Sequence, residues 1–335
     1  MMGTLYLREQ GAKVSRQGRR LVVSKDQQEI MSIPLHRLTR LVFLGRIQIT
    51  ESALALLLDR RIPLVLTTHT GRLRGVLCPP DTPHVELRQN QYALARDPAY
   101  SLEFCKDLVD ARAVCCISII KRYAYNHPDP ELDRLAAQIQ TYRSQLNTCQ
   151  TIESVRGIEG ICSRDYVAAL VRIFSSLQMH FSGRIRRPPT DPVNAVLSFV
   201  YVLLTELCSS ALQITRLDVF CGLMHAPNRN APALALDFVE QFRQPLADRF
   251  VMLMFNKKIL KAEDFGNGPQ YAVLLKEDPK KRLLAEWERF LDAPQRLADR
   301  QTFTNARELI FQQAEKLETA IMNKTPYVHY RLSVR

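Results

Sequence analysis

The 335-residue chain predicts an α+β fold, with a small N-terminal β-rich domain followed by a larger all-α domain. Three observations carry this expectation. Short apolar runs separated by turn signals or charges recur through about the first 80 residues, the pattern of half-buried strands. Cys78-Pro79-Pro80-Asp81-Thr82-Pro83 then packs prolines too densely for a helix or a central strand. Beyond about residue 86 the apolar residues take helical spacing. The expected boundaries are 1–78 for the β-rich domain, 79–85 for the linker and 86–335 for the helical domain.

Strands are expected at 4–7, 21–24, 30–33, 41–44 and 64–67, with turns at Arg16-Gln17-Gly18 and Ser24-Lys25-Asp26. One helix interrupts them: Thr50 can cap it, Glu51 suits its first turn, and 53–58 is a strong helix-forming run. In the second domain, helical spacing over 100–125 ends at His127-Pro128-Asp129-Pro130, and 131–146 resumes it. A third segment covers 152–174. Asp191-Pro192 opens a fourth, because Asp caps well and Pro at the first helical position loses no needed hydrogen bond. Further helices are expected at 233–250, 280–292 and 303–322, followed by a mobile tail at 323–335.

The formal net charge is +12, from 46 Lys and Arg against 34 Asp and Glu. Thirteen of the basic and six of the acidic residues fall in 1–84, so the smaller domain is disproportionately basic. Such a surplus points to an anionic partner: nucleic acid, a membrane surface or an acidic protein. With 12 glycines and no Gly-rich phosphate motif, a phosphate-cradling glycine loop is excluded. The eight cysteines form no C-x-x-C pair, and five of them (Cys115, Cys116, Cys162, Cys208 and Cys221) lie in apolar runs, as buried free thiols do. Leu5 to Leu7 is followed at once by Arg8 and Glu9, so no secretory leader is expected. The most apolar stretch, 195–204, is shorter than the roughly 20 residues a bilayer requires. A reducing cytoplasm is the expected setting.

Three segments could carry chemistry. Glu159 lies among Ile158, Ile161 and Cys162, and a buried carboxylate must be paired, protonated or metal-bound. Taken alone it reads more readily as a solvent-facing carboxylate near a helix start. His225 follows an apolar run and precedes a polar loop; a lone histidine there is more often hydrogen-bonded than ligating. In 233–243, i, i+3, i+6 spacing aligns Asp237, Glu240 and Arg243 along one helical edge, beside a stripe of Leu236, Val239 and Phe242. One reading is a Glu240–Arg243 pair on a half-exposed face. The other is a metal site completed by Glu159 and His225, whose oxygen and imidazole donors suit Mg²⁺ or Mn²⁺. No Ser-His-Asp or Cys-His nucleophile pair is apparent.

Read together, these segments resemble a family: the CRISPR-associated integrase of spacer acquisition, the first-numbered Cas protein, also described as an endonuclease. Residues 186–201, including Asp191-Pro192-Val193-Asn194-Ala195 and Leu197-Ser198-Phe199-Val200-Tyr201, follow its R-x-P-x-D-P-x-N-A-x-L-S-F-G-Y run. Leu217-Asp218, His225, Asp237-Phe238-Val239-Glu240-Gln241-Phe242-Arg243 and Asp248-Arg249 follow its G-L-D, G-x-x-H and D-L-x-E-x-F-R-P-x-x-x-D-R motifs in order. Ile158-Glu159-Gly160 with Tyr166 resembles its metal-ligand helix. The chain departs from the pattern at Val200 and Arg216, both usually Gly, and at Ala111-Arg112, usually A-K.

The resemblance implies metal ligands at Glu159, His225 and Glu240, an assisting carboxylate at Asp237, and a phosphate contact at Arg243. It places Asn194 and Tyr201 beside the site. The implied activity is a metal-dependent integrase and endonuclease: a captured DNA's 3′-hydroxyl attacks a phosphodiester in a CRISPR repeat array. A nuclease acting on branched DNA, and a non-catalytic DNA scaffold built on Arg184/Arg186/Arg187, Lys257/Lys258/Lys261 and Lys280/Lys281/Arg282, are the alternatives. The implied partners are DNA, a second copy of the chain paired through the β-rich domain, and a small ferredoxin-like CRISPR adaptation protein.

Overall fold

The computed structural model describes residues 3–7, 9–68, 73–77, 85–185, 188–225, 232–294 and 304–332. Cys78, Arg186, Arg187 and nearly all of the expected linker lie outside the described residues. The chain forms two compact units, 1–88 with 209–217, and 89–208 with 218–335.

The first unit packs two four-stranded sheets around one apolar core. One sheet runs β1 (Gly3–Leu7), β5 (Leu38–Leu44), β7 (Leu64–Thr67), β8 (Leu73–Leu77), parallel except for the last pair. Leu41, Val42, Phe43 and Leu44 are all buried, as an inner strand covered on both faces requires. The other sheet runs β4 (Gln28–Pro34), β3 (Arg20–Lys25), β2 (Lys13–Gln17), β6 (Gln48–Ile49). Here burial alternates: Leu21 and Val23 enter the core while Arg20 stays in water. Gly18, at φ 62°, closes the β2–β3 hairpin in a conformation that favours glycine. Helix α1 (Glu51–Asp59) starts at the expected cap, with Thr50 Oγ1 accepting from Ala53 N at 3.3 Å. Its Ala53, Leu56 and Leu57 join the same core as Leu7, Val14, Leu21 and Phe43. Strands β2 and β8 were not foreseen: Arg16 and Arg74 interrupt their apolar pattern.

In the second unit the helices are α2 (Val85–Arg96, from Gln89 on), α3 (Pro98–Asn126), α4 (Pro130–Ser144), α5 (Ile152–Ser176), α6 (Pro192–Ile214, through Cys208), α7 (Ala233–Phe242), α8 (Arg249–Asn256), α9 (Glu277–Asp292) and α10 (Ala306–Asn323). Three begin with the same device. Asp97, Asp129 and Asp191 each accept a backbone N–H, from Ala99 at 2.9 Å, Glu131 at 3.0 Å and Asn194 at 2.8 Å, and proline follows each. α5 opens on a reciprocal box in which Thr151 and Ser154 bond each other's backbone N–H. Short strands β9 (Phe265–Asn267) and β10 (Val273–Leu275) add a hairpin to an otherwise helical unit.

Three expectations change. The helix anticipated over 233–250 is broken by a π-helical segment, Arg243–Asp248. Pro245 lies inside it and has no N–H to donate, so the regular α ladder cannot continue through it. The anticipated edge-and-stripe pattern of α7 also fails: from Ala233 to Phe242 every residue except Leu236 is buried. Finally, the tail is packed, with Tyr327, His329, Tyr330 and Leu332 all buried.

α6 is also longer than the apolar run suggested. At 23 residues and mean hydropathy 1.8 it is long and apolar enough to cross a membrane, and half of that window is buried inside the protein. Core helices pass the same test; Val193, Leu197 and Leu204 are fully buried.

Asp248 ends the π segment and joins it to two helices. It accepts hydrogen bonds from Tyr166 Oη of α5 at 3.0 Å and Tyr201 Oη of α6 at 2.5 Å. Burial pushes this carboxyl from 3.8 up to about 6, against the opposing pull of the two tyrosines, Arg243 and Arg184. The folded state therefore favours the protonated acid. Its stabilising contribution is complete below about pH 4 and is lost as the pH rises through about 6. Asp248→Asn should gain about 3 kcal/mol on the wild type between pH 4 and pH 8, measured by urea midpoints. A difference that stays constant across that range would contradict the assignment.

Candidate active site

Three helices of the second unit meet at one guanidinium. Arg112, from the middle of α3, sends Nη1 to Glu159 Oε1 of α5 and, at 3.3 Å, to Glu240 Oε2 of α7. Its Nη2 reaches Ser163 Oγ at 3.4 Å. Glu240 also pairs with Arg243, Nη1 to Oε1 at 2.6 Å. The Glu240 side chain is only 8% exposed, so its charge survives by this pairing. Burial works against the Arg112 charge, but Glu240 and Glu159 outweigh it and hold the guanidinium more basic than usual. The expected Glu240–Arg243 pair is thus real but buried, and it is half of a larger cluster.

His225 is held by Asp237. The carboxylate of Asp237, fully buried in α7, accepts backbone N–H bonds from Leu223 at 2.7 Å, Met224 at 2.9 Å and His225 at 3.1 Å, and its Oδ1 contacts His225 Nδ1. Asp237, expected as an assisting carboxylate at the metal, contacts the 223–225 turn with both of its oxygens. This bond raises the His225 pKa although burial opposes it, and the charges of Glu240 and Glu159 add to the rise. Gly222 fits the turn tightly: a Cβ there would lie 2.7 Å from His225 O and 2.8 Å from Ala233 Cβ. Arg156, one turn before Glu159, donates to Met224 O at 2.7 Å and ties the turn to α5. A cleft of about 320 Å³, lined by Arg96, Ser101, Arg156, Met224 and His225, opens beside it.

Arg243, expected at a phosphate, also lies over the Tyr201 ring at 5.2 Å. Asn194 acts in the start of α6, donating to Asp191 Oδ2 at 2.6 Å and Gly183 O at 2.8 Å and accepting from Arg184. Tyr201 reaches the cluster through Arg243 and Asp248.

Among the described residues no group of three or more His, Cys, Asp or Glu side chains is gathered tightly enough to hold a metal ion. Glu159 and Glu240 converge on Arg112 instead. Their donor chemistry still fits a hard divalent cation: two carboxylates already share one positive charge, and with Nδ1 engaged by Asp237, Nε2 is the imidazole nitrogen that can ligate. Sequence reasoning noted Arg112 only as a departure from a motif. The signal was an arginine at the head of the apolar run 113–120, where a charge must find partners.

A family model, CRISPR associated protein Cas1, matches residues 5–289. The CRISPR-associated endonuclease Cas1 1 of Chlorobaculum tepidum is 29% identical over 293 residues, covering 86% of this chain and 85% of that protein. A CRISPR-associated exonuclease Cas4/endonuclease Cas1 fusion of Rhodospirillum rubrum is 32% identical over 97% of this chain, which spans 57% of the fusion. Among solved structures, a chain of a partial Cas6-RT-Cas1–Cas2 complex superposes with TM-score 0.79 at 22% identity, covering 99% of each chain. A casposase bound to integration product superposes with TM-score 0.79 at 20% identity, over 97% of this chain and 96% of that one. With the family model covering most of its length, this chain belongs to the CRISPR-associated Cas1 family.

Proposed function

We propose that the protein is a metal-dependent DNA integrase and endonuclease that inserts short DNA fragments into a CRISPR repeat array. The observation that carries this reading is the convergence of Glu159 and Glu240 on a single cation, with their charge felt at His225. Relatives named as Cas1 endonucleases support it, as does a structural neighbour caught on an integration product. Glu159, Glu240 and His225 Nε2 would hold Mg²⁺ or Mn²⁺. When bound, the ion supplies Lewis-acid stabilisation of phosphoryl charge and lowers the pKa of an attacking hydroxyl.

The chain's own residues orient and neutralise. Asp237 fixes the ring of His225, so that Nδ1–H faces the carboxylate and Nε2 faces away. Arg112 and Arg243 pair with Glu240 out of water and would offer positive charge to a phosphodiester brought to the site. In the reaction a 3′-oxygen forms a new ester bond to phosphorus as the old P–O3′ bond breaks. The attacking hydroxyl loses its proton and the leaving 3′-oxygen gains one, so one phosphodiester replaces another.

The +12 charge suits a DNA partner, and the free thiols suit a reducing cytoplasm. Two structural neighbours belong to Cas1–Cas2 complexes, which supports a Cas2-type small ferredoxin-like partner. A second copy of the chain would pair through β4, an edge strand with Ile30 49% and Met31 41% exposed.

Glu240→Gln should lower strand transfer at least about a thousand-fold while leaving the circular dichroism spectrum unchanged. Wild-type product longer than either substrate strand identifies integration; only shorter product identifies a nuclease, and no product with either DNA overturns the assignment. Arg112→Met removes the cation shared by two carboxylates and should cost about 3 kcal/mol in metal-free buffer. Mn²⁺ should then raise the melting temperature of this variant more than that of the wild type. Equal shifts would speak against Glu159 and Glu240 as ligands. Ile30→Lys should convert a dimer to monomer in sedimentation equilibrium; an unchanged mass would move the interface away from β4.

A further inference from the structure

We propose that the extended segment following α10, residues 324–332, is a positioning strap for the reaction, with Gln241 as its contact on the helix that carries Glu240. The proposal rests on the function assigned above. Lys324, at φ 54°, ends α10 in the left-handed conformation, and beyond it Tyr327, His329, Tyr330 and Leu332 turn into the second unit while Val328 stays in water. Burying Tyr327 and His329 requires partners for their polar atoms, and most of these are found in two helices.

On one side those partners are in α7. Gln241 directly follows Glu240 and is fully buried. Its Oε1 accepts from Tyr330 N at 2.8 Å and lies 3.2 Å from Tyr327 Oη, and its Nε2 donates to Phe238 O at 3.0 Å. The Tyr327 hydroxyl also reaches Gln313 Oε1 of α10 at 2.9 Å. The Tyr330 ring stacks on Phe242 at 6.0 Å.

On the other side the partners are in α3, and they flank Arg112 along that helix. Asp107 accepts from His329 N and His329 Nδ1, both at 2.8 Å, and pairs with Arg331. Asp110 pairs with Arg331 at 3.0 Å. Beyond Arg112, Leu332 N donates to Cys115 Sγ at 3.3 Å and Ser118 Oγ donates to Leu332 O at 3.1 Å. Burial alone would raise the Asp107 carboxyl, yet the His329 and Arg331 bonds hold it at about 2.

The strap therefore bonds α7 at the residue next to Glu240, and α3 on both sides of Arg112. Those two side chains meet at 3.3 Å, and an ångström of drift between their helices would separate them. Nothing in the strap reaches the reacting atoms. Gln241, Tyr327 and Tyr330 act through the placement of Glu240 and Arg112.

The test uses the full-length chain. Gln241→Leu removes the acceptor and leaves Tyr330 N without its partner; Tyr327→Phe removes one hydroxyl and is expected to fold normally. Trp287→Phe, in the Phe250–Trp287–Phe290 cluster, serves as the control for stability loss alone. Gln241→Leu should lower kcat for strand transfer by about 10- to 100-fold with the DNA Kd within about two-fold, and Tyr327→Phe should lower kcat by a few-fold. Hydrogen exchange of residues 233–242 should accelerate in both variants and not in Trp287→Phe. Both variants matching the control in kcat and exchange would overturn the proposal, as would a loss confined to Kd. Should the wild type show no strand transfer, the functional assignment fails on its own, and unchanged exchange in 233–242 would still overturn the strap.

Discussion

Glu240 is a carboxylate taken almost completely out of water, and most of the second unit's inner architecture answers the cost of placing it there. An unpaired charge at such depth costs several kcal/mol, and only close countercharge with good geometry offsets that. Arg112 and Arg243 provide it from two sides. Each arginine then imposes requirements of its own. Arg112 must enter from α3, and its Nη1 and Nη2 also reach Glu159 and Ser163 on α5. Arg243 lies on the Tyr201 ring, whose hydroxyl satisfies Asp248. The cluster thereby fixes α3, α5, α6 and α7 relative to one another through polar bonds, in a region where apolar packing alone would tolerate sliding.

The break at Pro245 belongs to the same design. A straight helix over 233–250 would keep a single angular register from Asp237 to Asp248. The π-helical segment changes that register midway, so Asp237 can serve the His225 turn while Asp248 meets Tyr166 and Tyr201. Two buried carboxylates on one stretch of chain thus work on different neighbours. One orients a candidate ligand; the other braces the helices around it.

Local chemistry was legible in the sequence wherever the relevant partners are near neighbours. The cap at Thr50, the Asp-Pro start of α6 and the strand runs of the first unit rest on spacings of a few residues. The candidate site residues were read as motif positions of a resemblance, and Glu159, His225 and Glu240 lie in one unit. Distant partnerships were illegible. Arg112 and Glu159 are 47 residues apart, and periodicity carries no information about such a pair. The edge pattern on α7 failed because periodicity assumes a solvent-facing side, and this helix has almost none. The tail was expected to be mobile because terminal residues are poorly ordered unless tied down. Its order comes from Asp107, Asp110 and Gln241, which lie far away in sequence.

The strap also sets an order of events during synthesis. Chains emerge from the ribosome N-terminus first, at about 5–20 residues per second. Gln241 leaves the exit tunnel 86 residues before Tyr327, and Asp107 leaves it 222 residues before His329. For that interval α3 and α7 carry polar groups whose partners have not yet been translated. Those groups gain their partners only once residues 327–332 are in place. Until residues 327–332 are synthesised, Gln241 and Asp107 lack the hydrogen bonds from Tyr330, Tyr327 and His329 that they hold in the folded structure.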